Sequence, residues 1–297
     1  MQTVNYEEIV RKCYRDLLNR EPDQDGFNHY VGLLKKNEID NTQLINIFKN
    51  STEYKSVHDV GTVSHPIEID PSTPIDFRMK KEWDARAKLD PLFAIATGLT
   101  PLATSVSKLV WESGINDAKA ILGLDTPRFE KICYQKDQKK MRILEIGCGI
   151  GRLLIPMSKI FGETIGVDVS SKMAELGQKY VADTPNCKIL ESNGINLSLF
   201  PDNHFDFCYS YIVFQHIPEK KIVQQYIEEV SRVLKPECLF RFQVRGIVTT
   251  KPKGTTWDGV QFNSEEIRTT AKKNNFEILE ESDFKQEYFW LTFRAKK

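Results

Sequence analysis

The sequence predicts an open α/β sheet with helices on both faces, preceded by a small all-helical unit. Three observations carry this. The apolar run Met141 to Ile146 ends in the glycine-rich turn Gly147-Cys148-Gly149-Ile150-Gly151 and passes into Leu153-Leu154-Ile155, which opens a helix-like pattern. A second apolar run, Thr164-Ile165-Gly166-Val167, ends in Asp168 about 20 residues after the first glycine, where the acid of a nucleotide-binding sheet stands. The first 56 residues instead carry apolar side chains at helical spacing and contain no strand pattern.

From the N-terminus, Tyr6 to Leu18 places Ile9, Val10, Cys13, Tyr14, Leu17 and Leu18 on one helical face. Glu21 to Gly26 forms a turn, and Phe27, Tyr30, Val31 and Leu34 line a second helix. Asn41-Thr42 is read as the cap of a third helix bearing Leu44, Ile45 and Phe48, with a short fourth at Ser51 to Tyr54. Asp23, Asp25 and Gly26 do not make a calcium loop, because the closing bidentate position falls on Leu34. Residues 57–76, with Pro66, Pro71, Pro74 and Gly61, read as a linker. Helical segments from 77 to 125 precede the sheet, which spans 141–297. Further strands are Cys187 to Glu191, Phe205 to Tyr211, and a closing hairpin of Phe276 to Phe284 and Tyr288 to Ala295, with a helix opening at Ser264 as cap.

The spacing of the glycines separates two nucleotide folds. A dinucleotide fingerprint needs G-x-G-x-x-G, but its third glycine position is Arg152. The pattern is E-x-G-x-G-x-G from Glu145 to Gly151, which resembles motif I of the class I S-adenosylmethionine (SAM)-dependent methyltransferases. The run Glu229-Val230-Ser231-Arg232-Val233-Leu234-Lys235-Pro236 is similar to a later segment of that family. Glu237-Cys238 stands where the family has Gly-Gly, which predicts a different backbone shape for that turn. The resemblance implies a Rossmann-like, seven-stranded sheet whose last strand is antiparallel, with SAM as cofactor and no metal. It implies cofactor contacts from Glu145, Gly147, Cys148, Gly149, Gly151 and Arg152, and from Asp168 on the ribose hydroxyls. Val169, Met173, Asn193, Gly194 and Ser210 complete that set. Asn193 replaces the usual aspartate, and its amide oxygen is still an acceptor for the adenine amine. Gly194 after it makes a turn pair an open alternative.

For the chemistry, Phe214-Gln215-His216 follows the fourth strand. His216 is the candidate general base for a hydroxyl acceptor, because imidazole titrates in a useful range, and Gln215 is a candidate to orient that acceptor. The alternative is a packing role for His216. Arg152 is open to an acidic ligand group or to a salt bridge with Asp84 or Asp90. Tyr211, Trp257, Tyr288 and Trp290 are aromatic candidates for an acceptor pocket. The run W-D-x-R-A-x-x-D-P from Trp83 resembles the N-terminal lid of a methyltransferase subgroup, with a packing helix as the alternative. The N/D-P-P-Y motif of amino-methylating nucleic-acid enzymes is missing after the fourth strand.

The N-terminal pattern Y-R-D-L-L-N-R-E-P-D-x-x-G, closed by S-T-E-Y, resembles a small helical domain of unknown function, related to the phycobilisome linker repeat, in bacterial surface-layer and glycan-processing proteins. It implies an interaction module and a possible protein partner. With 41 basic and 41 acidic residues, charge gives no case for a nucleic-acid partner or an anionic membrane surface. Six cysteines without C-x-x-C pairing read as reduced thiols in a cytoplasmic protein, and no apolar run reaches the ~20 residues of a membrane span. The expected reaction is methylation of a hydroxyl on a sugar or glycan. The alternatives are O- or N-methylation of a small natural product or lipid, or a SAM-binding scaffold without turnover.

Overall fold

The computed structural model describes residues 5–18, 20–51, 53–54, 67, 69–70, 72–92, 107–123, 137–247 and 255–297. Two compact units emerge: Met1–Ser64 with Leu92–Val110, and His65–Pro91 with Trp111–Lys297. The span expected to be linker lies largely outside the described residues.

In the first unit, α1 (Tyr6–Leu18), α2 (Gln24–Lys35) and α3 (Asn41–Asn50) share one apolar cluster built from Val10, Tyr14, Leu17, Leu34, Leu44 and Phe48. The turn residues of its motif have structural work. Asp23 caps α2 by accepting from the Gly26 N–H, and a side chain on Gly26 would collide with the Tyr14 hydroxyl at 2.0 Å. Arg20 grips Glu53 with two bonds of 2.6 and 3.0 Å while lying over the Tyr14 ring. The cap of α3 is Asp40, in a capping box with Gln43, one residue ahead of the expected Asn41.

The second unit is built on a seven-stranded sheet ordered β3-β2-β1-β4-β5-β7-β6. Its strands are β1 (Arg142–Ile146), β2 (Glu163–Asp168), β3 (Cys187–Glu191), β4 (Phe205–Ser210), β5 (Leu234–Arg245), β6 (Phe276–Glu281) and β7 (Tyr288–Ala295). The first five are parallel, and β7 runs antiparallel to both its neighbours. This is the Rossmann-like class I methyltransferase sheet that the motifs imply.

The helices are α4 (Ile75–Leu89), α5 (Ser107–Leu122), α6 (Leu154–Ser158), α7 (Ser171–Tyr180), α8 (Lys220–Val233) and α9 (Ser264–Lys273). Because strand side chains alternate, Ile143 joins Phe207, Tyr209 and Leu239 beneath α5, while Leu144 and Ile146 join Cys208, Phe240 and Phe242 beneath α8 and α9. Both faces are covered, which is why the parallel strands read as unbroken apolar runs. The cap of α9 is Asn263, with Glu266 closing the box, and not Ser264.

The segment after α8 corrects an expectation. Glu237 has φ 61, the left-handed region that glycine enters freely, so the turn keeps a glycine-like conformation on a glutamate. The residue is held inside β5, whose pairing with β4 is irregular there, and its carboxylate meets Lys296 at 2.8 Å.

Candidate functional site

The carboxyl ends of β1, β2 and β4 meet at one edge, where an open α/β sheet binds its ligands. Gly147, Gly149 and Gly151 all take positive φ, of 75, 54 and 85 degrees. At Gly147 glycine is also required by space, because a Cβ there would lie 2.4 Å from the Val213 side chain. The loop after β4 and the glycine loop are therefore in direct contact.

Asp168 closes the loop from the other side. Its carboxylate accepts from the Gly149 N–H and the Ser170 N–H, each at 2.8 Å. Packed protein around it, opposed by those two bonds, raises its pKa to about 6. Glu145, on the adjacent strand, is buried and accepts from the Tyr209 hydroxyl at 2.9 Å. Burial pushes its pKa up to about 8, with Tyr209 and Arg152 pulling the other way.

Two carboxylates flanking a glycine loop form an acceptor-rich donor set. It suits a ligand carrying an ammonium group and a ribose diol. The residues present fit SAM in this respect.

The other expected contacts divide. The Cys148 side chain is buried over Gly166 and its N–H is bonded to Val167, so it serves the loop's shape. Ser210 donates to the Ile146 carbonyl at 3.1 Å, locking β4 to β1. Gly194 brings Val169 and Met79 together, since a Cβ there would lie 2.6 Å from Val169 and 3.4 Å from Met79. Met173 is buried in α7. Asn193 departs from its expected role: its amide oxygen accepts from the Ile195 and Asn196 N–H groups at 2.9 and 3.0 Å. Both lone pairs are used in the turn, which leaves none for an adenine amine.

Arg152 pairs with neither Asp84 nor Asp90. It bonds Asp117 at 2.6 Å and Ser113 at 3.0 Å, and Tyr211 donates to the same Asp117 carboxylate at 3.1 Å. Gly114 permits this approach, because a Cβ there would strike the Arg152 backbone at 2.5 Å. Asp84 instead accepts from the Ser170 and Ser171 hydroxyls and the Lys172 N–H, at the start of α7. Together with the Lys80–Glu191 ion pair, this fastens α4 over the ends of β2 and β3.

After β4, the His216 Nδ1–H donates to the Trp257 carbonyl at 2.5 Å, leaving Nε2 as its acceptor nitrogen. The ring packs edge-on to Trp83 and tilted against Trp257. Burial, reinforced by Arg86 and Arg245, lowers its pKa to about 4. Gln215 is buried and its Oε1 has no hydrogen-bond partner. Tyr211 pairs with Trp290 at 5.7 Å between ring centres, whereas Trp257 joins Trp83 and Arg86; Tyr288 is exposed. Arg86 itself is fully buried, bonded to Thr256 at 2.9 Å and to Glu82 at 3.3 Å.

Residues 143–237 match a family model described as a methyltransferase domain. That segment of the chain is similar to a methyltransferase domain. Residues 2–57 match a separate model, a domain of unknown function (DUF4214). The curated relatives include a demethylmenaquinone methyltransferase of Staphylococcus aureus, 32% identical over 102 residues, or 33% of this chain and 41% of that one. The chain thus spans about two fifths of the length of that relative. Solved structures similar to the methyltransferase domain include a SAM-dependent methyltransferase from Methanosarcina mazei, 19% identical with a TM-score of 0.45 over 56% of this chain and 97% of that one. Another is phosphoethanolamine N-methyltransferase 2 of Haemonchus contortus in complex with SAM, 19% identical with a TM-score of 0.49 over 61% and 52% of the two chains.

Sequence reasoning missed Asp117 and Gln243, and it named Asp84 and Trp83 without their partners Ser170, Ser171 and His216. Gly114 inside a helix was a readable signal for close approach, and nothing local in the sequence marks the partners of the others.

Proposed function

We propose that this chain methylates a hydroxyl of a sugar or glycan acceptor with SAM as methyl donor. The observation that carries the hydroxyl is the Gln215 side-chain oxygen, buried without a donor. A buried acceptor without a partner is costly, and an O–H from a ligand satisfies it. The Trp83 and Trp257 rings packed around His216 are aromatic side chains of the kind that pack on a sugar ring.

When bound, SAM supplies an electrophilic methyl group on a cationic sulfur. Glu145 and the loop 147–151 are assigned to its amino-acid end, and Asp168 to its ribose. Gln215 orients the acceptor hydroxyl, so positioning supplies much of the rate. His216 takes the proton on Nε2. Its low basicity suits a proton that leaves late, because an oxygen already bonding to a methyl group is a strong acid.

A second reading, a quinone-type acceptor, is favoured by the likeness to the demethylmenaquinone methyltransferase. Incubation with SAM and either a panel of glycans and sugar nucleotides or a panel of demethylated quinones separates the two, read as S-adenosylhomocysteine (SAH) release and mass gain of the acceptor. Turnover confined to the quinones overturns the sugar reading. SAH binding without turnover on either panel supports the scaffold alternative.

A further inference from the structure

We infer that Gln243, on β5, is a positioning residue that holds the loop after β4 in its working shape through a strained residue, Ile212. This rests on the reading of the loop 147–151 as the cofactor cradle. Ile212 has φ 56. A β-branched side chain is a genuine outlier in that region, and such strain persists only where its surroundings enforce it. The enforcing contact is a hydrogen bond from the Ile212 N–H to the Gln243 Oε1 at 3.0 Å. Gln243 is itself buried, 3% exposed, on the strand beside β4.

The strain has a consequence at each end of the site. Immediately after Ile212, Val213 fills the space that a side chain on Gly147 would need. Two residues further on, Gln215 is buried with its side-chain oxygen unpartnered. The left-handed turn at Ile212 therefore sets where the chain presses on the glycine loop and where it delivers the acceptor-orienting amide. A relaxed Ile212, with negative φ, redirects both. Through this turn Gln243 acts on the cofactor loop and on the acceptor group without touching either ligand.

The test is calorimetric titration of SAH into the full chain and its variants. The preference of a β-branched residue against positive φ corresponds to roughly a tenfold population shift. Gln243→Leu is therefore expected to bind SAH about tenfold more weakly than the parent. Gln243→Asn, whose amide is one carbon too short to reach, should behave alike. Adding Ile212→Gly to either variant is expected to restore affinity to within about threefold, because glycine holds positive φ unaided. A role for Gln243 in core packing alone predicts no such rescue.

Parent protein that fails to bind SAH refutes the cofactor reading itself. Parent binding with unchanged variants, or loss without rescue, refutes the positioning role. A crystal structure of Gln243→Leu gives an independent readout. Negative φ at Ile212 supports the inference, and φ near its present value overturns it.

Discussion

Asp168 and Gly149 are joined by a hydrogen bond of 2.8 Å from the backbone N–H of the glycine to the carboxylate. The end of β2 and the glycine loop of β1 are thereby one rigid corner. The carboxylate expected to receive the ribose also holds the loop that receives the amino-acid end.

Replacing Asp168 by Ala removes the proposed ribose acceptor and leaves the Gly149 and Ser170 N–H groups without their partner. Hydrogen bonds to a charged group contribute about 1.5–3 kcal/mol each, so SAH affinity should fall roughly 10- to 100-fold in calorimetry. Unchanged affinity refutes the ribose assignment.

Glu145 gives the unliganded protein a pH signature. Its folded pKa, about 8, lies above the ordinary carboxylate value, so the folded state binds its proton more tightly than the unfolded state does. The stability it contributes is complete below the unfolded pKa and is lost as pH rises through about 8. Glu145→Gln keeps an oxygen for Tyr209 and loses the titration. Urea denaturation at several pH values should find the variant more stable than the parent at alkaline pH, with a smaller pH dependence, and weaker in SAH binding.

His216 titrates in the opposite sense. Its folded pKa of about 4 means that stability is present above the unfolded imidazole value and lost as pH falls toward 4. In an NMR titration its ring signals should stay in the neutral form until well below pH 6. The acid limb of the methyl-transfer rate should fall near pH 4 and not near the ordinary imidazole value. A limb at ordinary imidazole pH refutes the assignment of Nε2 as proton acceptor in this environment.

Glu237→Gly relieves a left-handed residue at the start of β5. The gain from removed strain, about 1–2 kcal/mol, exceeds the entropic cost of glycine, about 0.5–1 kcal/mol. The exposed pairing with Lys296 contributes little. A net stabilisation of roughly 0.5–1 kcal/mol is expected, read from the urea midpoint.

Asp84→Ala strips the start of α7 of an acidic acceptor for the Ser170 and Ser171 hydroxyls and the Lys172 N–H. A capping loss of this kind costs about 1–2 kcal/mol. If α4 covers the cofactor, SAH should also dissociate faster from the variant in stopped-flow measurements.

The sheet was legible because each of its signals is local. An apolar run, an acid and three glycines at fixed spacing specify β1 and its turn, and a second run ending in Asp168 specifies β2. The helix caps were legible only to within a residue: Asp40 and Asn263 cap where Asn41 and Ser264 were expected, since adjacent polar residues compete for one role. Partners distant in sequence were not legible. Arg152 meets Asp117 rather than Asp84 because Gly114 lets α5 approach the loop. Asn193 spends its oxygen on its own turn, as the Asn-Gly pair permitted. The left-handed φ of Glu237 and Ile212 is imposed by tertiary contacts that no local preference favours.

Whether the loop 147–151 and Asp168 hold SAM is decided by a crystal structure of the full chain with SAH. The ribose hydroxyls should lie within about 3 Å of the Asp168 carboxylate, with the amino-acid end against Gly147 to Gly151. Ligand density elsewhere, or an Asp168 carboxylate still engaged only with Gly149 and Ser170 at saturating SAH, would contradict it.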